Sequence, residues 1–247
     1  MTATHQWMTS PQVVKTLRNG DRYRLRAPRP EDSGQVAECF ERLSSESRRR
    51  RFFAFKKALT DSEVEFLTMT DGDDHIAVAA MALDNNGLEG RMVGMARCLR
   101  LPAPPDSAEL AIAIADEAQG LGLGRALIGQ LMQAADAQGI RNFEVEVMAD
   151  NAGMRALAER FGASSARQED GTMHYRIPVG DDIASGPGAQ TAWPWLQPTL
   201  GFEAAQRDWL ESTDQVFRLG QGLAENLWQS IWDSWHPSWR KAVTEDV

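Results

Sequence analysis

An α/β fold with a mixed, mostly antiparallel sheet flanked by helices is what the sequence predicts, and three features predict it. First, three strand-like runs, HIAVAAMAL (75–83), LEGRMVGMARCLRL (88–101) and SAELAIAIAD (107–116), follow one another across short polar or Gly/Pro turns, as in an antiparallel meander. Second, strand, helix, strand and helix patterns alternate from residue 107 to residue 162. Third, EAQGLGLGRAL (117–127) places glycines at 120, 122 and 124 between a strand and a helix. Glycine at a helix mouth costs backbone entropy, so those positions need unusual dihedrals or a bare backbone.

Each element has its own signal. DRYRLRA (21–27) alternates as an edge strand, and PRPED opens a helix across 31–44. Charged and apolar residues mix in SSESRRRRFFAF, where Arg48–Arg51 form the densest basic cluster, expected to be a solvated helix face ahead of a buried Phe52-Phe53 pair. TDSEVEFLTM is a short helix capped by Thr60 or Asp61. After the glycines, Leu123, Leu127, Leu131 and Ala134 or Ala135 fall at helical spacing, with Gly139 as the stop. IRNFEVEVMA is a strand, in which Glu144 is expected to be solvated; DNAGMRALAERFG is a capped helix ending at Gly162. ASSARQEDGTMHYRIPV forms a hairpin about Asp170-Gly171.

This places a domain at residues 20–180, after a polar, aperiodic segment at 1–19. Residues 181–202 have the Gly, Pro and Ser content of a linker. Residues 203–247 carry an amphipathic helical stripe through Trp209, Val216, Leu223, Leu227, Ile231 and Trp235, and seven of the eight tryptophans lie beyond residue 181. Residues 181–247 hold ten acidic residues against four basic ones, which suits an anionic membrane poorly. The Trp-rich helical tail is expected to dock on its own domain or to self-associate.

Composition narrows the function classes. A net charge of −9 argues against general nucleic-acid binding. The longest apolar runs are too short to span a bilayer, and the N-terminus lacks a signal-peptide pattern, so a cytoplasmic location is expected. Two cysteines, Cys39 and Cys98, supply neither a disulfide framework nor a zinc site, and the spacing of the four histidines suggests no metal centre.

Three phosphate-binding motifs compete for the glycine stretch. A P-loop needs Lys and Ser or Thr after its last glycine, whereas Arg125 and Ala126 follow Gly124. The dinucleotide fingerprint lacks its third glycine, with Leu127 in its place. The pattern that fits is Q-x-x-G-x-G from Gln119 through Gly122 to Gly124, with Arg125 on the first helical turn. Bare N–H groups of Gln119, Gly120, Leu121, Gly122, Leu123, Gly124 and Arg125, aided by the helix dipole, suit a pyrophosphate.

AELAIAIADEAQGLGLGRALIGQLMQAADAQGI resembles the cofactor motif of the GNAT superfamily of acetyl-CoA-dependent N-acyltransferases, and DNAGMRALAERFGA resembles the helix that follows it. The resemblance covers residues 20–180. SRRRRFF at 47–53 and EVMADNAGM at 146–154 are similar to the branch of bacterial protein lysine acetyltransferases. The resemblance implies acetyl-CoA as co-substrate, direct transfer to an amine, and a splayed strand pair that admits pantetheine against the backbone of Ile112, Ala113 and Ile114. It also implies that a backbone N–H of that strand polarises the thioester carbonyl. Asn151 is a cofactor contact on this view and a helix cap on its own residue type.

Strand alternation puts Glu109, Ala111 and Ala113 on one face and Leu110, Ile112 and Ile114 on the other. The alanine side leaves room for a thin ligand, and Glu109 on that side is the first candidate for taking the proton of the acceptor amine. Glu146 is the second; for either, the alternative is a carboxylate paired with a nearby arginine. The tyrosine that many GNAT enzymes use as an acid is replaced by Ala158. Protein lysine is the favoured acceptor. A small amine, or a catalytically weak domain that senses acetyl-CoA while its tail binds a partner, are the alternatives.

Overall fold

The computed structural model describes residues 13–167 and 171–180. Its eight strands are β1 (Val13–Thr16), β2 (Arg22–Arg26), β3 (His75–Leu83), β4 (Glu89–Arg100), β5 (Ser107–Ile114), β6 (Asn142–Met148), β7 (Ser164–Arg167) and β8 (Thr172–Pro178). They form one sheet in the order β1-β2-β3-β4-β5-β6-β8-β7. Every neighbouring pair is antiparallel except β5 and β6. Five α-helices are interleaved: α1 (Ser33–Glu41), α2 (Ser45–Phe52), α3 (Asp61–Thr68), α4 (Leu123–Ala137) and α5 (Ala152–Arg160). The expected mixed, mostly antiparallel sheet with flanking helices is present. The sheet also begins earlier than expected, because Val13–Thr16 pairs with β2 although its sequence carries no clear alternation. The linker, the Trp-rich tail, His5 and His236 lie outside the described residues.

Two apolar layers cover the sheet. On one face α4 buries Leu123, Leu127, Ile128 and Leu131, each at most 1% exposed, against Ile76, Val78, Leu110 and Phe143. Burial of such side chains stabilises by about 1.5–3 kcal/mol each. Val36 and Cys39 of α1, with Val64 and Leu67 of α3, pack on Ala77, Ala79, Met81 and Met92 of the opposite face. The parallel β5–β6 pair needs a crossover, and α4 supplies it. The caps match the sequence: Thr60 and Glu63 form a capping box for α3, and Asn151 Oδ1 accepts from Met154 N at 3.1 Å. Among the described residues, no helix is long and apolar enough to cross a membrane.

A buried ion-pair network fastens β2 to the layer that holds α1. Arg26 on β2 donates to both oxygens of Asp32, at 2.7 and 2.9 Å, and to Glu89 on β4. Asp32 also accepts from Arg29 N at 2.7 Å. Burial alone would raise the Asp32 pKa, but the hydrogen bonds from Arg26 and Arg29 outweigh it and hold the carboxyl below its ordinary range. A carboxylate depressed on folding contributes stability above its unfolded pKa, and the contribution fades as pH falls through the folded value. Asp32→Asn should therefore cost about 3 kcal/mol at pH 7, because it leaves Arg26 underpaired. Urea titrations at pH 7 and near pH 3 check this. The gap between wild type and variant should narrow in acid, and an equal gap at both values would count against the network.

Candidate functional site

The parallel pairing of β5 with β6 lasts only three residue pairs: Ser107 with Asn142, Ala108 with Phe143 and Glu109 with Glu144. Beyond these, Leu110–Ile114 remain paired to β4 and Val145–Met148 to β8. The two strands therefore diverge and open a wedge whose apex is the Glu109–Glu144 pair. Leu110, Ile112 and Ile114 turn toward α4, as the alternation predicts. Ile112, Ala113 and Ile114 are half-buried along the open edge.

At the end of β5 the chain makes a 3-10 turn (Asp116–Ala118) and enters the glycine stretch. Gly120 and Gly122 take φ of +72° and +98°, a region that L side chains avoid. Gly124 is needed for closeness instead: a Cβ there would lie 3.0 Å from Leu157 Cδ2 of α5 and 3.4 Å from Ile114 Cδ1. Gly122 is the N-cap of α4, with no side-chain cap. Among the described residues, none of the backbone N–H groups from Gly120 to Arg125 finds an acceptor; the first such bond is Ala126 N to Gly122 O, 3.2 Å. Unspent donors at a helix start, on the positive end of its dipole, suit an anion. Arg125 is exposed beside it, with no ion pair among the described residues.

Gln119 is placed differently from the expectation. Its amide N bonds Asp116 O at 3.2 Å, and its side-chain Nε2 lies 2.7 Å from Asp116 Oδ1, 3.0 Å from Ile114 O and 3.2 Å from Ser47 Oγ. It holds the loop in shape rather than offering a free donor. Asn151, as the cap of α5, has its oxygen engaged as well.

Glu109, Glu144 and Glu146 share the sheet face opposite α4. The Glu109 carboxylate makes no hydrogen bond or ion pair among the described residues. Glu144 is not the solvated residue expected: its side chain is 12% exposed and is held by Arg176 Nε at 2.7 Å, with His174 Nε2 lying 3.2 Å from its other oxygen. Glu146 lies across from His174 in register and is half-buried. Of the two candidate proton acceptors, Glu109 alone combines the wedge apex with uncommitted oxygens.

Two guanidinium groups lie near Glu109. Arg97 on β4, directly across from Ala111, is 6% exposed, and its Nε has no hydrogen-bond partner. Its Cζ lies 5.1 Å from the Phe66 ring centroid, and Phe66 stacks on His75 at 4.3 Å. Arg51 of α2 sits 4.8 Å over Phe52. Burial lowers both pKa values, with the Arg51 guanidinium brought to about 10, while the charge of Glu109 acts to raise them. The alternation of Met95, Arg97 and Leu99 carried a signal that was missed: a charge at a position with an apolar period.

The arginine run does not form a solvated face. Arg48 donates to the carbonyls of Glu41, Leu43 and Lys57, and its Cζ is 4.5 Å from the Phe40 ring. Arg49 bridges Glu46 at 2.8 Å and Asp150 at 2.5 Å. Phe52 and Phe53 are only half-buried, and Phe53 ends the helix in the left-handed region at φ +54°. At the other end of α2, Asp116 accepts from Ser44 N at 2.7 Å and Ser47 Oγ at 2.5 Å. The helix is thus tied to the segments that follow β5 and β6, the two arms of the wedge. Both cysteines are buried, and burial pushes their thiols up to about 11 for Cys39 and about 12 for Cys98, far from a nucleophilic thiolate.

A strand wedge, an uncapped glycine helix start and a carboxylate at the apex thus lie together at one strand edge. Over residues 37–163 the sequence matches the Acetyltransferase (GNAT) family, and the chain belongs to that family. It is 30% identical over 163 residues to Acetyltransferase Pat of Mycolicibacterium smegmatis, a match covering 66% of this chain and 47% of that protein, so it spans about half of the relative's length. The GNAT domain of S. lividans PAT is similar at 28% identity with a TM-score of 0.63, over 72% of this chain and 99% of that one. A GNAT phosphinothricin acetyltransferase from Sinorhizobium meliloti, solved in complex with acetyl-CoA, shares the fold at 20% identity and a TM-score of 0.51, over 75% of this chain and all of that one.

Proposed function

We propose that the chain moves an acetyl group from acetyl-CoA directly to an amine, with a protein lysine as the favoured acceptor. The observation that carries this reading is the row of unspent N–H groups from Gly120 to Arg125 at the foot of the wedge. Those donors match the diphosphate of coenzyme A, and the exposed Arg125 adds charge. The open edge of β5 from Leu110 offers backbone groups to a pantetheine arm, with Ile112, Ala113 and Ile114 lining it. The thioester supplies an activated acyl carbon, and a β5 N–H polarises its carbonyl.

The acceptor approaches from the face that carries Glu109. A free lysine amine has a pKa near about 10.4, so near neutral pH it must lose a proton to react. Glu109 takes that proton, directly or through a water; the neutral amine then forms the N–C bond as the C–S bond breaks, and the second nitrogen proton passes to solvent or to the departing thiolate. The departing thiolate is a weak base and needs no acid from α5, where Ala158 is fully buried. With both cysteines buried and protonated, a covalent acyl-cysteine step has no support.

A macromolecular acceptor is favoured by Phe55, 80% exposed in the loop that follows α2, an apolar contact that a small amine would leave unused. The matches to proteins named Pat and PAT accord with the lysine acetyltransferase branch that SRRRRFF and EVMADNAGM resemble. Transfer of labelled acetyl from acetyl-CoA to protein separates this reading from a small-amine enzyme, which would turn over free polyamines or amino acids instead. Tight coenzyme binding without transfer to any acceptor would point to a sensor.

Gly122→Asp puts bulk and like charge where the diphosphate is proposed to sit and should weaken acetyl-CoA binding by about a hundredfold or more in calorimetry. Unchanged affinity would remove the loop from the site. Glu109→Gln should bind acetyl-CoA normally yet lose about a hundredfold in kcat near pH 7, with partial recovery in alkali as the acceptor deprotonates itself. Full rate in that variant would move the role to Glu146 or to solvent. Phe55→Ser should raise KM about fivefold for a protein acceptor and leave that for a small amine unchanged; equal effects on both would argue against a protein docking there.

A further inference from the structure

The segment between the wedge and the glycine stretch touches more than the cofactor side. Asp116 sits immediately after β5, and its carboxylate collects three donors. Ser44 N and Ser47 Oγ come from the first turn of α2, at 2.7 and 2.5 Å, and Gln119 Nε2 comes from the loop entry, at 2.7 Å. Gln119 Nε2 also lies 3.2 Å from Ser47 Oγ, closing a three-membered cluster. Burial works against the charge, but these bonds outweigh it and hold Asp116 below the usual carboxylate range. The carboxylate satisfies one of the orphan N–H groups at the start of α2 and stands at the positive end of its dipole.

The far end of α2 faces the chemistry. Arg49 is tied to Asp150 beyond β6, and Arg51 lies close enough to Glu109 and Arg97 for their charges to act on it. A shift of α2 therefore moves Arg51 relative to Glu109. A change in the glycine stretch, in turn, reaches α2 first through Gln119 and Asp116.

We propose that Asp116 is a positioning residue that couples the glycine loop to α2, so that seating the coenzyme diphosphate and fixing the arginine face beside Glu109 are one event. The proposal rests on acetyl-CoA as the co-substrate and goes beyond it by assigning the link between cofactor and acceptor sides. Among the described residues, the N–H groups from Gly120 to Arg125 have no acceptor, and the Asp116 hub joins loop and helix by hydrogen bonds. A diphosphate engaging those groups narrows the loop's conformations. Asp116 transmits the restraint because the same carboxylate carries loop and helix, which gives a coupling free energy between two sites without direct contact.

The test uses the full chain, with coenzyme A as the probe. Calorimetry measures its affinity, and hydrogen exchange follows the amides of residues 45–52. In wild type, saturating coenzyme should slow exchange in α2 by about tenfold, within the range of ordinary allosteric coupling. Asp116→Asn and the milder Ser47→Ala should still bind coenzyme but lose that slowing, and KM for the acceptor should rise more than kcat falls. Coenzyme binding with no response of α2 in wild type, or a full response in both variants, overturns the coupling alone. No coenzyme binding to wild type overturns the proposed function and the coupling with it.

Discussion

The feature on which the rest depends is a sheet pairing that stops after three residue pairs. A continuous β5–β6 ladder would satisfy every backbone group and leave no place for a ligand; a pair that never met would lose the rigid apex. The chain keeps Ser107–Glu109 against Asn142–Glu144 and then lets the arms separate. The rest of each arm is held by its other neighbour, β4 or β8, so the opening does not loosen the sheet. α4 makes this arrangement possible, because a parallel pair needs a crossover, and its uncapped start lies where the ligand edge begins.

Function is divided between backbone and side chains. The loop from Gly120 to Arg125 offers N–H groups whose geometry depends on two positive-φ glycines, so it suits a ligand of fixed chemistry such as a diphosphate. The opposite face is built from side chains: Glu109 at the apex, Arg97 buried and Arg51 half-buried near it, and Glu144 held by Arg176 with His174 close by. A guanidinium buried as deeply as Arg97 is costly unless its charge serves something. Its neighbours are an aromatic ring and the carboxylate that is best placed to take a proton. Charge is thus concentrated on the face of the wedge that carries Glu109, opposite α4.

What was legible in the sequence follows the range of the signal. Period-2 runs with Gly/Pro turns marked β3, β4 and β5, and Gly139 and Gly162 marked the ends of α4 and α5, because these are local backbone effects. The Q-x-x-G-x-G stretch was legible for the same reason, since positive φ is written into glycine itself. The edge strand β1 was not, because its four residues are ordered by pairing with β2 rather than by their own alternation. The long-range polar contacts were also hidden. Nothing local says that Arg49 reaches Asp150 or that Ser47 reaches Asp116, 69 residues away. The basic run therefore looked like a solvated face, and Glu144 looked free of its two cross-strand partners.

The stretch SRRRRFF (47–53) then acquires a physical content that spacing alone did not supply. Ser47 and Arg51 are one turn apart on α2, and Arg49 lies between them. The serine reaches the segment after β5, the middle arginine the segment after β6, and the last arginine the compartment of Glu109. An eight-residue helix with so little apolar surface has no stability of its own to spend. Its order is borrowed from the two arms it bridges, so any change in the separation of those arms must be felt along its length. A helix ordered in this way is suited to report the state of the wedge to the compartment of Glu109.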